Sequence, residues 1–264
     1  MGAMDISLGA LAGCYLLILI PLAAALWLGA PLVRSTLSAV VRMTVQLAFV
    51  GLYLGVIFQY DNIWLTSAWM IVMVIVADAS IIRGCALRLR LFAVPLAAAL
   101  VAGTAIPLCY FVGVLLRQDN LLAAQYAIPI GGMILGNCLR ANIIGIRGFY
   151  DAIRKDDRAY GYALALGASL HEATRPYWRD AFRDAVSPTI ATMATIGVVS
   201  LPGMMTGVVL GGTEPATAVK YQIAIMVAIF SGTAITVMAG IWLTMHRAFD
   251  GYGLLRTDIF SEKS

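Results

Sequence analysis

Seven apolar segments, each at least 20 residues long, fill most of this 264-residue chain. A helix of about 20 apolar residues crosses the hydrocarbon core of a bilayer, so each segment is long enough to span a membrane. Only 12% of the residues are charged, against roughly a quarter in soluble domains. The pattern predicts an all-α polytopic membrane helix bundle with about seven transmembrane helices and excludes a soluble globule. The segments cover residues 8–30, 36–58, 63–82, 91–115, 122–146, 188–211 and 219–245.

Positive charge is distributed unevenly between the two sides of the membrane that these segments define. If the charged stretch between the fifth and sixth segments is cytosolic, 16 of the 18 Lys and Arg residues lie at or near cytosolic ends, and only Arg117 and Lys220 do not. Because Lys and Arg are retained on the cytosolic side, we expect an outside N-terminus and a cytosolic C-terminus. The same distribution accounts for the net charge of +4, so nucleic-acid binding is not expected. We expect a single transmembrane domain over 1–264, in a bacterial inner (plasma) membrane.

The charged stretch, residues 147–187, is expected to form a cytosolic segment. Residues 147–184 hold seven basic and six acidic side chains, 13 of the 32 charges in the chain. Good helix formers over 150–166 predict a helix that Gly167 closes. The sequence Ser-Leu-His-Glu at 169–172 then matches the capping box, in which the Ser and Glu side chains each satisfy a backbone N–H of the first turn.

Two prolines limit the helix that follows this capping box. Pro176 has no N–H, and its ring clashes with the preceding turn of a helix. We therefore expect a helix of about two turns, or one that restarts with Pro176 in its first turn. Either outcome gives a short helix across the cytosolic face. Ser187 and Pro188 repeat the signal for a helix start and predict the beginning of the sixth span.

The sixth span combines a helix breaker with regularly spaced glycines. Pro202 lies 14 residues past Pro188, about 20 Å along a helix, so we expect it on the outer side of the midplane. Gly203, Gly207 and Gly211 recur every four residues and predict a face for close helix packing. The segment is either a kinked packing helix or a break that lines or gates a transport pathway.

Met204 and Met205 sit inside this motif and raise the question of metal binding. Their thioethers suit soft metals such as Cu(I) better than hard ferric iron. Direct ligation of a metal by this pair and a simple packing role both stay open, and the metal ligands of the chain remain unknown.

A few polar side chains lie within the other spans. Arg42 and Gln46 share one helix face at i, i+4, where Arg42 either snorkels to the cytosolic boundary or lines a polar cavity. Asn137 and Arg140 share a face of the fifth span and are either interhelical hydrogen-bond partners or part of a substrate path. Asp78, near the cytosolic end of the third span, is read as an interfacial ion pair or a partner contact in preference to a proton relay.

The chain lacks the motifs of a catalytic site. No glycine-rich Walker A loop precedes any of its three lysines, and neither a metalloprotease nor a serine-hydrolase motif occurs. The four cysteines are scattered among apolar residues and suggest neither a zinc site nor a disulfide framework. We therefore expect a chain that is not an enzyme and holds no cofactor of its own. If ATP drives its activity, another subunit binds the nucleotide.

Several motifs together resemble one family over most of the chain, the FetB-type iron-export ABC permeases, which include plant proteins linked to aluminium tolerance. The most specific is Ser-Leu-Pro-Gly-Met-Met-Thr-Gly at 200–207, followed by Gly-Gly at 211–212 and Tyr-Gln-Ile at 221–223. The others are Arg-Met-Thr-Val-Gln-Leu at 42–47, Pro-Ile-Gly-Gly-Met-Ile-Leu-Gly-Asn at 129–137 and Ala-Leu-Gly-Ala-Ser at 165–169.

The resemblance implies a homodimeric permease that exports iron or a related metal and pairs with two copies of a cytosolic ABC ATPase subunit. The stretch around 164–176 resembles the loop that ABC permeases insert into their ATPases. The expected coupling residues are Leu164, Gly167, Ser169, His171, Glu172 and Arg175. The expected pathway or gate residues are Pro202, Gly203, Met204, Met205, Gly207, Arg42, Gln46 and Asn137.

One alternative class stays open at this point. A secondary transporter driven by an ion gradient would have ionisable residues near the midplane and an internal repeat, and the sequence shows neither convincingly. The direction of transport and the identification of the cargo as iron are implied by the resemblance alone. The cargo and its oxidation or chelation state are not determined by the residues.

Overall fold

The computed structural model describes residues 7–60 and 62–260, and the regular structure in this part of the chain is helical apart from isolated bridges. The prediction of an all-α polytopic bundle is confirmed. The helices are α1 Leu8–Cys14, α2 Leu19–Trp27, α3 Val33–Tyr60, α4 Ile63–Gly84, α5 Leu89–Cys109, α6 Ala124–Lys155, α7 Asp157–Ala165, α8 Leu170–Thr195, α9 Gly203–Leu210 and α10 Pro215–Ala248, with a 3-10 turn at Tyr15–Ile18, a π-helical turn at Tyr110–Leu115 and a last 3-10 turn at Thr257–Ile259.

Six helical segments of the described chain are long and apolar enough to cross a membrane. They match six of the seven predicted spans, although α6 and α10 extend well past the predicted ends. The six are Gly9–Trp27, Val33–Tyr60, Ile63–Gly84, Leu89–Leu115, Ala124–Lys155 and Pro215–Ala248. The orientation of the chain in the membrane stays a prediction.

The sixth predicted span, residues 188–211, is not one helix, and in this respect the prediction was wrong. Helix α8 ends at Thr195, residues 196–202 are not helical, and α9 begins at Gly203. Ile196 is extended and Gly197 takes a φ of +89°, which glycine adopts without strain. The Gly197 N–H then donates to the Ser200 carbonyl at 2.9 Å, which closes a tight turn. The helix is broken before Pro202 is reached.

Pro202 therefore begins a helix and does not kink one. It is the N-cap of α9, and its carbonyl accepts the N–H of Thr206 at 3.0 Å. The end of α8 lines a cavity with Arg140 and Ile144, whereas α9 lines one with Gln125 and Tyr126. The two pieces thus follow α6 in the opposite direction and together extend over the length of a span.

The predicted cytosolic segment also differs from expectation in two places. The helix expected over 150–166 is interrupted at Asp156, so its first turns belong to α6 and its remainder is α7. The short helix expected after the capping box is instead the start of α8, a continuous helix of 26 residues. Pro176 and Pro188 lie inside it, and both are exposed, so the carbonyls that they leave without an intrahelical donor can reach solvent or lipid headgroups. Accordingly, Ser187 is not a helix start, and its hydroxyl donates to the Arg183 carbonyl one turn earlier.

The core of the bundle forms where α5, α6 and α10 pack closely together. Gly103 of α5 and Gly232 of α10 face each other, and a Cβ at Gly232 would overlap the Gly103 carbonyl and lie 2.8 Å from Ile134 Cγ2. Beside this crossing, Asn142 of α6 donates a hydrogen bond of 2.8 Å to Thr236 Oγ1 of α10. Small residues and an interhelical hydrogen bond are the means by which helices associate within a membrane.

The first two spans barely join this core. In α3, a helix of 28 residues, Ile57 alone is buried, and it packs with Ala124 and Ile128 at the N-terminal end of α6. Between the two spans, the hydroxyls of Tyr15 and Thr44 are hydrogen bonded at 2.6 Å. Tyr53 and Leu54 are partly buried beside Ile57, and most of the remaining residues of α3 are exposed.

Candidate functional site

The main cavity with a polar lining lies between α6, the break after α8, and α10. It has a volume of about 590 Å³, and we call it the central cavity. Its walls come from α6, α8, the break, α9 and α10, so any movement of the α8–α9 break changes its shape. It is lined by Met133, Asn137, Arg140, Ala141, Ile144, Ala185, Pro188, Thr189, Thr192, Ile196, Ser200, Leu201, Pro202, Gly203, Met204, Gln222, Ile225, Met226 and Ile229.

Amide and hydroxyl groups reach this cavity from each of its walls. On α6, the Asn137 side-chain amide donates to the Met133 carbonyl at 2.8 Å, so its oxygen remains available to a ligand. On α8, the Thr192 hydroxyl donates to the Pro188 carbonyl at 2.9 Å. Gln222 faces these groups from α10. Arg140 is the one charged residue among the described residues of the lining, and it has no carboxylate within 4.0 Å in the described chain.

The structure brings some of the expected pathway residues together and separates others. Pro202, Gly203 and Met204 share the central cavity with Asn137. Met205 instead lines a neighbouring cavity of about 350 Å³, into which Met204 also reaches. A Cβ at Gly207 would meet nothing within 4 Å, and the same holds at Gly203. The glycines of α9 therefore form an open face, not the close packing contact that their spacing predicts.

Arg42 and Gln46 lie elsewhere. They line an apolar groove of about 870 Å³ between α3, α4 and α6, together with Trp69 and Met73. Met133 of α6 lines both this groove and the central cavity. Helix α6 thus separates Arg42 and Gln46 from the other expected pathway residues.

Three thioethers, from Met133, Met204 and Met226, reach the central cavity from three directions. In residues 7–60 and 62–260, no group of three or more His, Cys, Asp and Glu side chains could hold a metal ion. The donors present in the cavity are therefore amides, hydroxyls and thioethers. The metal ligands of this chain stay an open question.

A second candidate region is the tip formed by α7, α8 and the turn between them. Gly167 takes a φ of +92°, its N–H donates to the Leu164 carbonyl at 2.9 Å, and the Ala168 N–H donates to the Ala163 carbonyl at 3.1 Å. This pair of bonds is the Schellman motif, so the glycine cap that the sequence predicts is confirmed.

The predicted capping box is confirmed as well. Ser169 Oγ accepts the Glu172 N–H at 3.3 Å, and Glu172 Oε2 accepts the Ser169 N–H at 2.9 Å. The hydrogen bonds from Ser169 to the carboxylate lower the pKa of Glu172. The two motifs fix the direction in which α8 leaves the turn.

Five of the six expected coupling residues are exposed at this tip, namely Gly167, Ser169, His171, Glu172 and Arg175. Leu164 is not, because it is partly buried against Gly253 of the C-terminal segment. Two exposed apolar residues were missed by the sequence analysis: the exposures of Tyr162 and Leu166 are 67% and 72%. Their spacing of four residues on α7 is the signal that could have identified them.

The C-terminal segment, residues 249–260, folds back under this tip, which the sequence analysis did not anticipate. The Tyr160 hydroxyl donates to the Gly253 carbonyl at 2.6 Å, and the Arg154 guanidinium lies 4.5 Å from the centre of the Phe260 ring. Tyr177 of α8 donates to Asp156 Oδ2 at 2.9 Å. Burial raises the pKa of both tyrosines to about 12, so both remain donors at neutral pH. These contacts join α6, α7, α8 and the end of the chain into one unit.

Comparison with known proteins places this geometry in a family. The model of the uncharacterised protein family UPF0014 matches residues 8–249. The UPF0014 membrane protein slr1647 of Synechocystis is 34% identical over 84% of this chain and 86% of its own length. The protein ALUMINUM SENSITIVE 3 of Arabidopsis thaliana is 29% identical over 84% of this chain and 80% of its own. The probable iron export permease protein FetB of Escherichia coli is 28% identical over 82% of each chain. No solved structure matches.

These relatives confirm the resemblance drawn from the sequence motifs. Six apolar helices, together with bacterial relatives that are membrane proteins, make the chain an integral protein of the inner membrane. The family match covers almost the entire described chain, from α1 to the end of α10. The chain belongs to the UPF0014 family of membrane proteins.

Proposed function

We propose that this chain is the permease subunit of an ABC transporter that exports iron or a related metal, driven by ATP that a separate cytosolic subunit hydrolyses. The observation that carries the proposal is the family match over residues 8–249 together with a relative named as a probable iron export permease. The central cavity and the exposed tip supply the two features that such a subunit needs.

The central cavity is the proposed cargo site. It lies beside the break at residues 196–202, within the sixth predicted span. Non-helical backbone at membrane depth is tolerated only where it lines a cavity or is buried in protein. Asn137, Pro202, Gly203 and Met204 are its proposed pathway residues. Met205 and Gly207 on α9 move with the same segment, whereas Arg42 and Gln46 belong to a separate groove and need not touch the cargo.

The exposed tip is the proposed docking surface for the ATPase. We call it the coupling surface and define it by Tyr162, Leu166, Gly167, His171, Glu172 and Arg175. It combines two exposed apolar side chains with a rigid turn and a charged first turn of α8. An interface with an apolar centre and a polar rim is what protein recognition requires.

The test is co-purification of the permease with its ATPase, followed by measurement of ATP hydrolysis in proteoliposomes. Leu166→Glu places a charge at the centre of the coupling surface and should abolish co-purification. Gln118→Glu, at an exposed loop position far along the chain from the tip, is the matched control and should leave co-purification unchanged. Equal recovery of the ATPase with both variants would refute this surface as the docking site.

The proposal includes a second copy of the chain, since α1 to α3 leave most of their surface without protein neighbours. Native mass spectrometry of the assembled transporter from lipid nanodiscs gives its composition directly. We expect two permease chains and two ATPase chains. A particle with one permease chain would contradict the dimer and leave lipid to cover the exposed face of α3.

One observation favours the alternative, a transporter driven by an ion gradient. Asp78 of α4 is buried, and its Oδ1 has no hydrogen-bond partner in the described chain. Buried carboxylates within spans serve as proton relays in some transporters. Transport by proteoliposomes that contain the permease alone, dependent on a proton gradient and lost in Asp78→Asn, would support this alternative and exclude the first proposal.

A further inference from the structure

The charge of the central cavity is the starting point, because it does not suit a bare metal cation. Among the described residues that line it, the one formal charge is the guanidinium of Arg140. A positive charge a few ångströms from a cation in a site of low dielectric constant is strongly unfavourable. The iron ion alone would also seek carboxylate or imidazole ligands, and the lining contains neither.

A second copy of the chain cannot supply the missing carboxylates from its spans. Of the 14 Asp and Glu residues in the sequence, Asp78 is the one that lies within a predicted span. Its side chain is 5% exposed and packed within its own bundle. The predicted spans of a second copy therefore add no free carboxylate to the cavity.

Arg140 lies midway along α6 and is exposed. It lies seven residues before Arg147, about 10 Å along α6, whereas Arg147 pairs with Asp151 at the end of the span. No described carboxylate lies within 4.0 Å of Arg140. An arginine within a span is retained where it meets water or a counterion, and it marks a substrate path.

The neutral groups around Arg140 complete a site for an oxyanion. The hydroxyls of Thr189 and Ser200 and the amide of Gln222 reach the same cavity from α8, from the break and from α10. An arginine fork binds a carboxylate through two parallel hydrogen bonds. The surrounding hydroxyl and amide groups can then donate to the remaining oxygens.

We infer that the central cavity takes its metal as an anionic chelate with a polycarboxylate ligand, such as a hydroxycarboxylate complex, and that Arg140 binds the carboxylate groups of that ligand. This inference rests on the proposed function and names the form of its cargo. The metal stays enclosed in its own ligands, so the protein needs no carboxylate or imidazole of its own.

The experiment measures binding to the purified full chain in nanodiscs by isothermal titration calorimetry, with two probes: ferric citrate and ferrous ion alone. We expect the wild-type chain to bind ferric citrate, and Arg140→Gln to weaken that binding at least tenfold. Arg140→Lys keeps the positive charge but not the paired donors of the guanidinium, and it should restore part of the ferric citrate binding that Arg140→Gln loses. Arg147→Gln is the matched control, one arginine further along α6 and outside the cavity, and should bind as the wild type does.

Each other outcome has a defined meaning. Tighter binding of ferrous ion than of ferric citrate, unaffected by Arg140→Gln, would overturn the inference while leaving export of iron intact. Equal binding of ferric citrate by the wild type and by Arg140→Gln would also overturn it. If Arg140→Gln fails to fold, Gln222→Leu replaces it in the same titration and should weaken binding of ferric citrate. Failure of the proposed function is separate, since it is read from the absence of an ATPase partner and not from the form of the cargo.

Discussion

The first two spans are about as apolar as α10 and more apolar than α6, yet the two regions pack in opposite ways. Gly9–Trp27 and Val33–Tyr60 bury 6% of their most apolar windows, whereas α6 and α10 bury 50%. The difference lies in whether glycines meet a neighbouring helix. Gly103, Gly145 and Gly232 sit at close helix contacts, whereas nothing lies within 4 Å of a Cβ placed at Gly51 or Gly55 of α3. Apolar character places a helix in the membrane, and close contacts at small residues hold it in the core.

The largest expected effect concerns membrane topology. It tests whether α8, the break at residues 196–202 and α9 together cross the membrane, as the helices of the packed region do. Single cysteines are introduced at Gln118, Thr213 and Leu166 in a variant without native cysteines, and intact cells are treated with an impermeant thiol reagent. If α8 and α9 together complete a span, positions 118 and 213 lie outside and should label fully, and position 166 should not label. Protection at 213 with labelling at 118 would mean that the segment returns to the cytosolic side.

The next largest effect should come from a methyl group placed at the tightest contact of the core. Gly232→Ala forces its Cβ against the Gly103 carbonyl and should lower the free energy of unfolding by about 1–3 kcal/mol or more. Gly55→Ala in α3 is the matched control, because its Cβ would enter open space. Thermal unfolding of the purified protein in detergent measures both. If Gly232→Ala and Gly55→Ala lowered the free energy of unfolding equally, α3 would be packed in the assembled protein as closely as α10.

A smaller difference is expected between two interhelical hydrogen bonds. Asn142→Ala removes the buried bond from α6 to Thr236 and should destabilise the protein by about 1–2 kcal/mol. Thr44→Val removes the exposed bond between Tyr15 and α3 and should change stability by less than about 0.5 kcal/mol. Chemical denaturation in detergent measures the free energy of unfolding of both variants. A larger loss at Thr44 would indicate that the N-terminal pair depends on that bond for its position.

The smallest effect concerns the capping box at the start of α8. Ser169→Ala should cost about 1 kcal/mol of local helix stability, which hydrogen exchange at the amides of α8's first turn can measure. Because the pKa of Glu172 is lowered in the folded protein, its share of this stability is present above the ordinary carboxyl pKa and is lost as the pH falls through the lower, folded value. The protection factors of the first-turn amides, taken against the intrinsic exchange rate at each pH, should therefore fall on acidification in the wild type and fall less in Glu172→Gln. An identical acid response in both would exclude the carboxylate as the cause.

Local patterns allowed part of this molecule to be predicted from sequence. Gly167, Ser169 and Glu172 act through neighbours within three residues, so their motifs could be read directly and were confirmed. The apolar segments were identified for the same reason. The helix boundaries predicted from Pro176 and Pro188 were wrong, because these prolines are exposed and a helix tolerates the missing hydrogen bonds there. The helix break predicted at Pro202 was misplaced for a different reason, since a tight turn at Gly197 ends the helix before Pro202 is reached.

The candidate sites were harder to predict because they depend on distant contacts. Asn137 and Met204 are 67 positions apart in the sequence and meet only because α8 and α9 run against α6. Arg42 and Gln46 have the same polar character, yet α6 separates them from the cavity. Tyr160 reaches Gly253 through the fold of the C-terminal segment. Hydropathy and helix periodicity carry no information about such contacts between residues that are distant in the sequence.

The unbroken course of α8 has a mechanical consequence. One continuous helix carries Glu172 at the coupling surface and Thr192 at the central cavity, about 30 Å apart along its axis. If α8 turns as one body, a rotation of about 5° around its middle displaces each end by roughly 1.3 Å in opposite directions. A movement of the tip is then transmitted to the cavity wall through α8, in which Pro176 and Pro188 are the positions that can bend. The non-helical turn at 196–202, just beyond the far end of α8, is where that motion can be absorbed.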